Sequence, residues 1–334
     1  MGKFPIIAIT SGDAGGIGPE ILLKASVREE LTESCRPLII GSWKVLEEAA
    51  CRLGLPLKMR RARVEDWQPL PQGVATVLDL DNLGPEWVFR GQPCPETGRA
   101  AAECILKAVD LALAGEVDAI ATAPLNKEGL NLAGYAYPGH TELLAKLTQT
   151  TDYAMMMVDG ELRVVLVTTH LPLREVSAAL SREKILRIVR LASRSLSALF
   201  GVARPRIAVA ALNPHAGEGG LFGREELDHI TPAIEEACSL GVEASGPYPA
   251  DTLFHPQRSR EFHAIVVMYH DQGLIPIKMA AFGDAVNVTL GLPIIRTSVD
   301  HGTAYDIVGR GIANPASLLK AVRLAAKMTL HRAG

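Results

Sequence analysis

The amino-acid sequence predicts an α/β fold, because short β-branched runs alternate with longer stretches of helical periodicity. The strand-like runs cover residues 6–9, 38–40, 117–121, 164–167, 207–210 and 265–268. Apolar residues recur at three- and four-residue spacing in residues 98–114, 181–200, 224–240 and 315–331. Nearly continuous apolar strands joined by helical crossovers indicate parallel strands that are covered on both faces.

The chain length predicts two lobes with a cleft between them, since 334 residues exceed what one hydrophobic core usually organises. Apolar residues make up 48% of the chain and charged residues 21%, a composition typical of a compact globular protein. Residues 66–95 are rich in proline, glycine and isolated polar residues, which predicts loops and short strands around the first lobe.

The charge and the cysteine content argue against several kinds of partner and site. The formal net charge is −3 and the longest basic stretch is residues 58–63, so we expect no nucleic-acid partner. The cysteines favour neither a disulfide framework nor a thiolate metal site, because Cys35, Cys51, Cys94, Cys104 and Cys238 form no Cys-x-x-Cys pair. We find no signal peptide and no membrane-spanning run, and therefore expect a cytoplasmic protein that binds no membrane.

Three histidines, His170, His215 and His270, follow apolar strand-like runs in the same way. The carboxyl ends of parallel strands lie along one edge of a sheet, where open α/β sheets bind ligands. Neutral imidazole is a common ligand for zinc, cobalt, iron or nickel, and three protein ligands leave coordination positions open. Taken alone, each histidine is better explained as a cap that hydrogen bonds to a turn. The repetition favours a shared metal.

Residues 137–142 (Tyr-Pro-Gly-His-Thr-Glu) predict the start of a helix beside an anion. Gly139 ends a loop, and Thr141 and Glu142 open the helix, so exposed amides lie next to the His140 imidazole and a hydroxyl. An ordinary helix cap explains the same residues equally well.

A further polar set, Lys278, Asn287 and Arg296, lies on or near the strand-like segment 285–290. These side chains can clamp a carboxylate or phosphate through charge-assisted hydrogen bonds. Taken alone, each is better explained as a solvated charge or a turn residue. Lys127, in a polar turn after another strand-like run, is a weaker candidate for the same role.

The glycine-rich segment 10–20 follows a strand and opens a helix. Its glycine spacing matches neither Gly-x-Gly-x-x-Gly nor a P-loop, so the sequence carries no standard dinucleotide fingerprint. The glycines allow either close approach of the backbone to a ligand or an ordinary structural turn. Asp13 and Glu20 in this segment receive no assignment.

Seven motifs, in order and spread over nearly the whole chain, resemble those of the 4-hydroxythreonine-4-phosphate dehydrogenase family of pyridoxal phosphate biosynthesis and its close paralogues. They are residues 15–20 (GGIGPE), 138–142 (PGHTE), 169–173 (THLPL), 213–218 (NPHAGE), 250–254 (ADTLF), 268–273 (MYHDQG) and 296–304 (RTSVDHGTA). Several motifs in one order are far more specific than any single glycine pattern.

The resemblance implies a dehydrogenase that uses NAD and one divalent cation per site, either zinc, magnesium or cobalt. It implies that the metal is bound by His170, His215 and His270. It also implies that a phosphorylated substrate is contacted by His140, Thr141, Lys278, Asn287 and Arg296. All eight positions carry the residue types of the family.

The fold that the resemblance implies is a two-domain α/β/α fold like that of isocitrate and isopropylmalate dehydrogenases, with the active site in the interdomain cleft. We therefore expect a discontinuous domain I of residues 1–135 plus 300–334. Residues 136–299 would form domain II, with the metal and dimer contacts. The resemblance further implies a homodimer whose active site borrows residues from the partner subunit.

Residues 301–315 resemble the loop with which isopropylmalate dehydrogenases hold the adenosine of NAD. By this likeness, the cofactor is bound by His301, Gly302, Asp306 and Asn314. Asp306 favours NAD over NADP, because a carboxylate accepts from a ribose hydroxyl but repels the extra phosphate. The chain departs from these patterns at Tyr305, where the loop usually has proline, and at Ala14-Gly15, where the family commonly has Pro-Ala.

The implied reaction oxidises and decarboxylates 4-phosphohydroxy-L-threonine to 3-amino-2-oxopropyl phosphate. Lys278, Asp251 and Asp271 are proton-transfer candidates by residue type, and Asp271 alternatively holds a ligand histidine in its tautomer. Three alternatives stay open. They are a D-threonate or D-erythronate 4-phosphate dehydrogenase of sugar acid catabolism, a cis-dihydrodiol dehydrogenase of aromatic acid degradation, and a non-catalytic protein whose histidines hold structural zinc.

Overall fold

The computed structural model describes residues 4–63, 73–137, 139–281 and 285–332. The described residues up to Thr150 and from Leu292 onward form one compact unit, unit 1. Those from Thr151 to Gly291 form unit 2. Among the described residues, we find no helix whose length and hydrophobicity would let it span a bilayer.

The elements follow the alternating order that the sequence predicts, and the predicted α/β class is confirmed. Unit 1 begins with β1 (Ile6–Thr10), α1 (Gly18–Ser26), α2 (Glu29–Ser34), β2 (Arg36–Gly41), α3 (Trp43–Leu53), β3 (Met59–Arg63), β4 (Ala75–Asp79), α4 (Pro95–Leu113), β5 (Ala119–Thr122), α5 (Lys127–Leu132) and α6 (His140–Leu147). Unit 2 contains β6 (Ala154–Asp159), β7 (Leu162–Leu166), α7 (Leu173–Val176), α8 (Arg182–Phe200), β8 (Arg206–Ala210), a π-helix (Glu226–Ile230), α9 (Thr231–Ser239), β9 (Glu243–Tyr248), α10 (Ala250–Leu253), α11 (Pro256–Ser259), β10 (Ala264–Val267), α12 (His270–Ala281) and β11 (Val286–Leu290). The chain then returns to unit 1 with β12 (Arg296–Val299) and α13 (Ala316–Arg332).

The strands of unit 1 lie in the order β3-β4-β2-β1-β5-β12. Every neighbouring pair is parallel, as the apolar runs predict. All five residues of β1 are buried, and α4 packs its Cys104, Ile105 and Ala108 into the same core. The glycine-rich segment therefore leaves the central strand at the carboxyl edge of this sheet.

Unit 2 orders its strands β11-β6-β7-β10-β8-β9. The apolar runs predicted here correspond to β7, β8 and β10, and their predicted parallel pairing is confirmed, whereas the sequence did not predict the antiparallel strand β6. β6 pairs antiparallel with both β7 and β11, whereas β7, β10, β8 and β9 are parallel. Residues 160 and 161 form a two-residue turn between β6 and β7, with Gly160 at φ 56°, and a turn this short joins only antiparallel neighbours.

The helix predicted over residues 224–240 is interrupted at its start. Residues 226–230 form a π-helix, and the α-helical hydrogen bonding of α9 begins at Thr231. Pro232 has no N–H to donate to the carbonyl four residues earlier, so the first turn widens. Of the predicted loop region 66–95, residues 66–72 lie outside the described part. The rest contains the buried strand β4 and a 3₁₀ turn at Pro85–Trp87.

The two units and the predicted domains differ in where two elements lie. Both α6 and β12 belong to unit 1, whereas the prediction assigned residues 136–299 to domain II. β12 is bound to unit 1 by its parallel pairing with β5, which aligns Arg296 with Ile120. The boundaries of the functional domains stay a prediction.

Candidate active site

Three neighbouring parallel strands of unit 2, β7, β10 and β8, each lead into a segment that carries one of the predicted metal ligands. His170 lies four residues after β7, His270 begins α12 after β10, and His215 follows β8 in a turn of left-handed residues. The predicted placement of these histidines at one edge of a parallel sheet is therefore what the topology of unit 2 provides.

His170 and His270 approach each other most closely, with ring centroids 5.7 Å apart and ring planes inclined by 43°. The Nδ1 atom of His270 lies 2.7 Å from Oδ1 of Asp271, a contact that orients the ring and leaves Nε2 as the ring nitrogen that can bind a metal. Asp271 itself is exposed. This contact matches the alternative role predicted for Asp271, a carboxylate that orients a histidine.

His215 points elsewhere. Its side chain is 69% exposed, its ring lies edge-on to Phe222 at 6.0 Å, and its Nδ1 is 3.5 Å from Oε2 of Glu218. Among the described residues, no set of three His, Cys, Asp or Glu side chains is already arranged to hold a metal ion. Binding by all three histidines therefore requires their side chains to rearrange.

Buried polar side chains connect the ends of the three strands beneath the histidines. The Thr168 hydroxyl donates to the Met268 carbonyl at 2.7 Å. Gln272 accepts from the Met268 amide at 2.7 Å and donates to the Ala211 carbonyl at 2.6 Å. These bonds link the ends of β7, β10 and β8, so the backbone around the histidines is held without a metal.

In unit 1, α6 begins at His140, within residues 137–142 as predicted, although Pro138 of the motif lies outside the described residues. Gly139 supplies no capping side chain, so the amides at the helix start are left for another acceptor. Arg296 is 1% exposed and donates through Nη2 to Oγ1 of Thr122 at 2.8 Å. We call Lys127, His140, Thr141 and Arg296 the α6 anion cluster.

The electrostatics of the α6 anion cluster favour a negatively charged ligand. Burial is the main cause that lowers the pKa of His140 well below its usual value, and Arg296 and Lys127 lower it further. Burial lowers the pKa of Arg296 to about 9 against the opposing effect of Glu142, so the guanidinium remains charged at neutral pH. Nε2 of His140 is buried and has no hydrogen-bond partner among the described residues. A ligand oxygen would satisfy it.

The low pKa of His140 predicts how stability depends on pH. The folded state holds this ring neutral, whereas the unfolded chain takes up a proton below about pH 6.5. The stability that the neutral His140 ring contributes to the free energy of unfolding is therefore complete above about pH 6.5 and is lost as the pH falls toward the folded-state pKa.

When the pH falls from about 7 to 5, we expect the free energy of unfolding of His140→Gln to decrease less than that of the native chain. Urea titrations at each pH measure this difference. His331→Gln, an exposed change at the end of α13, is the control and should follow the native curve. Parallel losses in the native chain and His140→Gln would contradict this assignment.

The remaining candidates of unit 2 have contrasting surroundings. Asn287 on β11 is half-buried, and its Oδ1 has no hydrogen-bond partner among the described residues, as expected of a ligand contact. Lys278, in the last turn of α12, and Asp251, in α10, are both exposed. Within the described ranges, Lys278 and Asp251 make no contact that selects either of them as a proton carrier.

The glycine-rich segment contacts the loop at residues 301–315, which explains Asp13 and Glu20. Asp13 accepts from the Gly15 amide at 2.8 Å and from the Tyr305 hydroxyl at 2.7 Å. Burial raises the pKa of Tyr305, and the bond to Asp13 raises it further, so the phenol stays a donor. A Cβ on Gly16 would lie 2.7 Å from the Thr303 carbonyl oxygen, so only glycine fits there.

Glu20 and Lys24 hold the far end of the same loop. The fully buried Glu20 carboxylate accepts from the Ala313 amide and from Lys24 Nζ, each at 2.8 Å. Lys24 also donates to the carbonyls of Gly311 and Ala313 at 2.8 Å. Two of the predicted cofactor residues, Asp306 and Gly302, are exposed. The other two contact neighbouring backbone: Nδ1 of His301 lies 3.0 Å from the Gly302 carbonyl oxygen, and Oδ1 of Asn314 accepts a hydrogen bond from the Ala316 amide.

Comparison with known proteins identifies the family to which the chain belongs. A family model described as pyridoxal phosphate biosynthetic protein PdxA matches residues 33–325. The chain belongs to the PdxA family. The predicted resemblance is thereby confirmed.

Relatives align with this PdxA-family chain over nearly its whole length. It is 49% identical over 322 residues to a 4-hydroxythreonine-4-phosphate dehydrogenase of Desulforapulum autotrophicum, covering 96% of this chain and 95% of the relative. It is 46% identical to a putative D-threonate 4-phosphate dehydrogenase of Oceanobacillus iheyensis, covering 98% and 99%. The crystal structure of 4-hydroxythreonine-4-phosphate dehydrogenase from Klebsiella pneumoniae superposes with a TM-score of 0.88 at 43% identity, covering 98% of both chains.

The polar residues that support the histidines of this PdxA-family chain were not predicted from the sequence. Thr168 and Gln272 each lie two residues from a predicted ligand, and that proximity was the available signal. Glu226, 3% exposed in the π-helix, was missed because it lies 11 residues (226 − 215) beyond His215. Nothing in the helical periodicity of residues 224–240 marks it as different from its neighbours.

Proposed function

We propose that this chain catalyses the NAD-dependent, divalent-metal-dependent oxidation of 4-phosphohydroxy-L-threonine, with decarboxylation to 3-amino-2-oxopropyl phosphate. The α6 anion cluster carries the proposal. It combines a helix start, a buried arginine and an imidazole nitrogen that has no hydrogen-bond partner within the described part of the chain, a set that suits a phosphate or carboxylate. The activity named for the relative from Desulforapulum autotrophicum supports this choice of substrate.

His170, His215 and His270 are the residues that would hold the divalent cation, either zinc, magnesium or cobalt. Three exposed or half-exposed imidazoles after neighbouring strands fit such an ion by donor chemistry, and the contact with the Asp271 carboxylate leaves Nε2 of His270 as the ring nitrogen that can bind it. A bound cation would supply a Lewis acid that lowers the pKa of the substrate hydroxyl and stabilises developing negative charge.

The reaction removes a hydride and a proton from the substrate. The hydride goes from the carbon that bears the hydroxyl to NAD, the hydroxyl loses its proton, and a ketone forms β to the carboxylate. Loss of carbon dioxide then leaves a carbanion that takes up a proton. Lys278, Asp251 and Asp271 stay the proposed proton carriers, and the bond between Asp271 and His270 favours an orienting role for Asp271. Lys278 and Asn287 stay proposed substrate contacts.

We assign NAD to the loop at residues 301–315. The bonds from Asp13, Glu20 and Lys24 fix this loop before any ligand arrives, which lowers the ordering cost of binding. Asp306 is exposed and can accept from a ribose hydroxyl. His301, Gly302 and Asn314 are the other proposed contacts.

Replacing Lys24 tests whether the support of this loop matters for NAD. Lys24→Met leaves the buried Glu20 carboxylate without its cation, and we expect the free energy of unfolding to fall by about 3 kcal/mol. We also expect the KM for NAD to rise roughly tenfold while the KM for the phosphorylated substrate is unchanged. Steady-state kinetics and urea unfolding measure both, with exposed Lys327→Met as the control. An unchanged KM for NAD would refute the supporting role.

We propose that the chain acts as a cytoplasmic homodimer with a shared active site. The large apolar side chains that unit 2 exposes support this, among them Ile275 and Met279, which are 58% and 72% exposed on one side of α12. The five cysteines are free, which suits a reducing compartment. Sedimentation equilibrium of the full chain tests the dimer, and a monomer at micromolar concentration would refute it.

The second candidate is a D-threonate 4-phosphate dehydrogenase, the name given to the relative from Oceanobacillus iheyensis. The first proposed substrate carries an amino group beside the carboxylate, whereas D-threonate 4-phosphate carries a hydroxyl there. The α6 anion cluster and the three histidines can bind either substrate. The deciding experiment follows NAD reduction by the purified chain with added metal. It compares kcat/KM for 4-phosphohydroxy-L-threonine, D-threonate 4-phosphate and D-erythronate 4-phosphate. Preference for a sugar acid phosphate would replace the first proposal with the second, and turnover of none would refute both.

A further inference from the structure

The proposed metal ligand His215 lies in a rare backbone conformation. Residues 215–219 all have positive φ, with values of 52°, 55°, 78°, 44° and 66°, so five consecutive residues are left-handed. Three of them, His215, Ala216 and Glu218, carry a Cβ that disfavours this conformation. Such a turn persists only where surrounding contacts hold it.

The buried carboxylate of Glu226 provides those contacts. Its Oε1 accepts from the backbone amides of Leu212 and Asn213, each at 2.8 Å, and its Oε2 accepts from Nδ2 of Asn213 at 3.0 Å. Leu212 and Asn213 connect β8 to the turn. One side chain therefore fixes the backbone immediately before His215.

The left-handed turn and Glu226 fit against each other directly. A Cβ on Gly217, in the middle of the turn, would lie 2.6 Å from Oε2 of Glu226. Glycine at this position lets the turn close over the carboxylate. Glu226 also begins the π-helix, and π-helical turns occur frequently at functional sites.

We infer that Glu226 is a positioning residue: by accepting hydrogen bonds from the backbone that leads into the turn, it fixes the backbone position from which the His215 side chain reaches the divalent cation. This inference rests on the proposed function, in which His215 is a metal ligand. Two amide donors share Oε1, so the essential property of Glu226 is an acceptor oxygen at that place and not its charge alone.

Three substitutions separate an acceptor from a charge. Glu226→Gln keeps an oxygen for the two backbone amides and loses the bond from Nδ2 of Asn213, so we expect its dissociation constant for Co²⁺ to stay within about fivefold of the native value. Glu226→Met removes the acceptor and should weaken Co²⁺ binding about 10- to 100-fold, the usual range for groups that support metal ligands. Glu226→Asp, which withdraws the carboxylate by one methylene, should lie between them and serves if Glu226→Met does not fold.

The measurement is Co²⁺ titration of the metal-free full chain, following the visible absorption of the bound ion, whose intensity and position report its coordination. We expect Glu226→Met to change the spectrum as well as the affinity. Glu235→Gln, an exposed carboxylate on α9, should match the native chain. Met156→Ala, which opens the core on β6, controls for lowered stability and should keep the native spectrum.

The outcomes distinguish this inference from the proposed function. If the native chain binds no Co²⁺, or if His215→Ala binds it as the native chain does, both the metal assignment and this inference are overturned. If His215→Ala weakens binding but folded Glu226→Met and Glu226→Asp retain the native affinity and spectrum, only the role of Glu226 is overturned.

Discussion

Removing divalent cations from the purified chain is expected to lower kcat by at least about 10³-fold, because a Lewis acid contributes several kcal/mol to an oxidation of this kind. The fold should survive the treatment. The bonds of Thr168 and Gln272 connect the strand ends without a metal, so the urea unfolding transition should shift little.

The same experiment assigns the ligands. His170→Ala and His270→Ala should each reproduce the loss after metal is restored, whereas exposed His331→Ala should keep native activity. Added Zn²⁺, Mg²⁺ or Co²⁺ should restore the stripped native chain, and the most effective ion identifies the preferred metal. Full activity after exhaustive chelation would refute the metal assignment and favour a different chemistry at these histidines.

Arg296→Met is expected to lower kcat/KM for the phosphorylated substrate by roughly 10³-fold. The loss of two charge-assisted hydrogen bonds to the ligand corresponds to about 4 kcal/mol. The effect should appear mainly as a higher KM for that substrate, with the KM for NAD unchanged. Methionine fills a similar volume and carries no charge, so the substitution removes the desolvation cost of the buried guanidinium.

Stability and activity therefore separate a binding role of Arg296 from a structural one. If Arg296→Met unfolds at the same urea concentration as the native chain but has a much higher KM for the phosphorylated substrate, the anion site is supported. Thr122→Val removes one hydrogen-bond partner of Arg296 and should have a smaller effect in the same direction. Native kinetics in Arg296→Met would refute the α6 anion cluster as the phosphate site, and equal loss of stability and activity would indicate a structural role.

The sequence alone determined the α/β alternation, a helix that starts within residues 137–142, and the order of motifs that places the chain in the PdxA family. These features depend on local periodicity, on turn chemistry or on the identity of neighbouring residues, so they can be read along the chain. The positions of His170, His215 and His270 after parallel strands can also be predicted from the local sequence. The roles of these histidines stay a proposal.

The tertiary structure decided the features whose partners are distant in sequence. Asp13 bonds to Tyr305 and Glu20 to Ala313 across nearly the whole chain, and no local pattern signals either pair. The antiparallel placement of β6 depends on which neighbour its edge meets, and the apolar run alone does not specify that. In the sequence, nothing distinguishes Glu226 from the other polar residues of a surface helix. Only the fold buries its carboxylate against the backbone before His215.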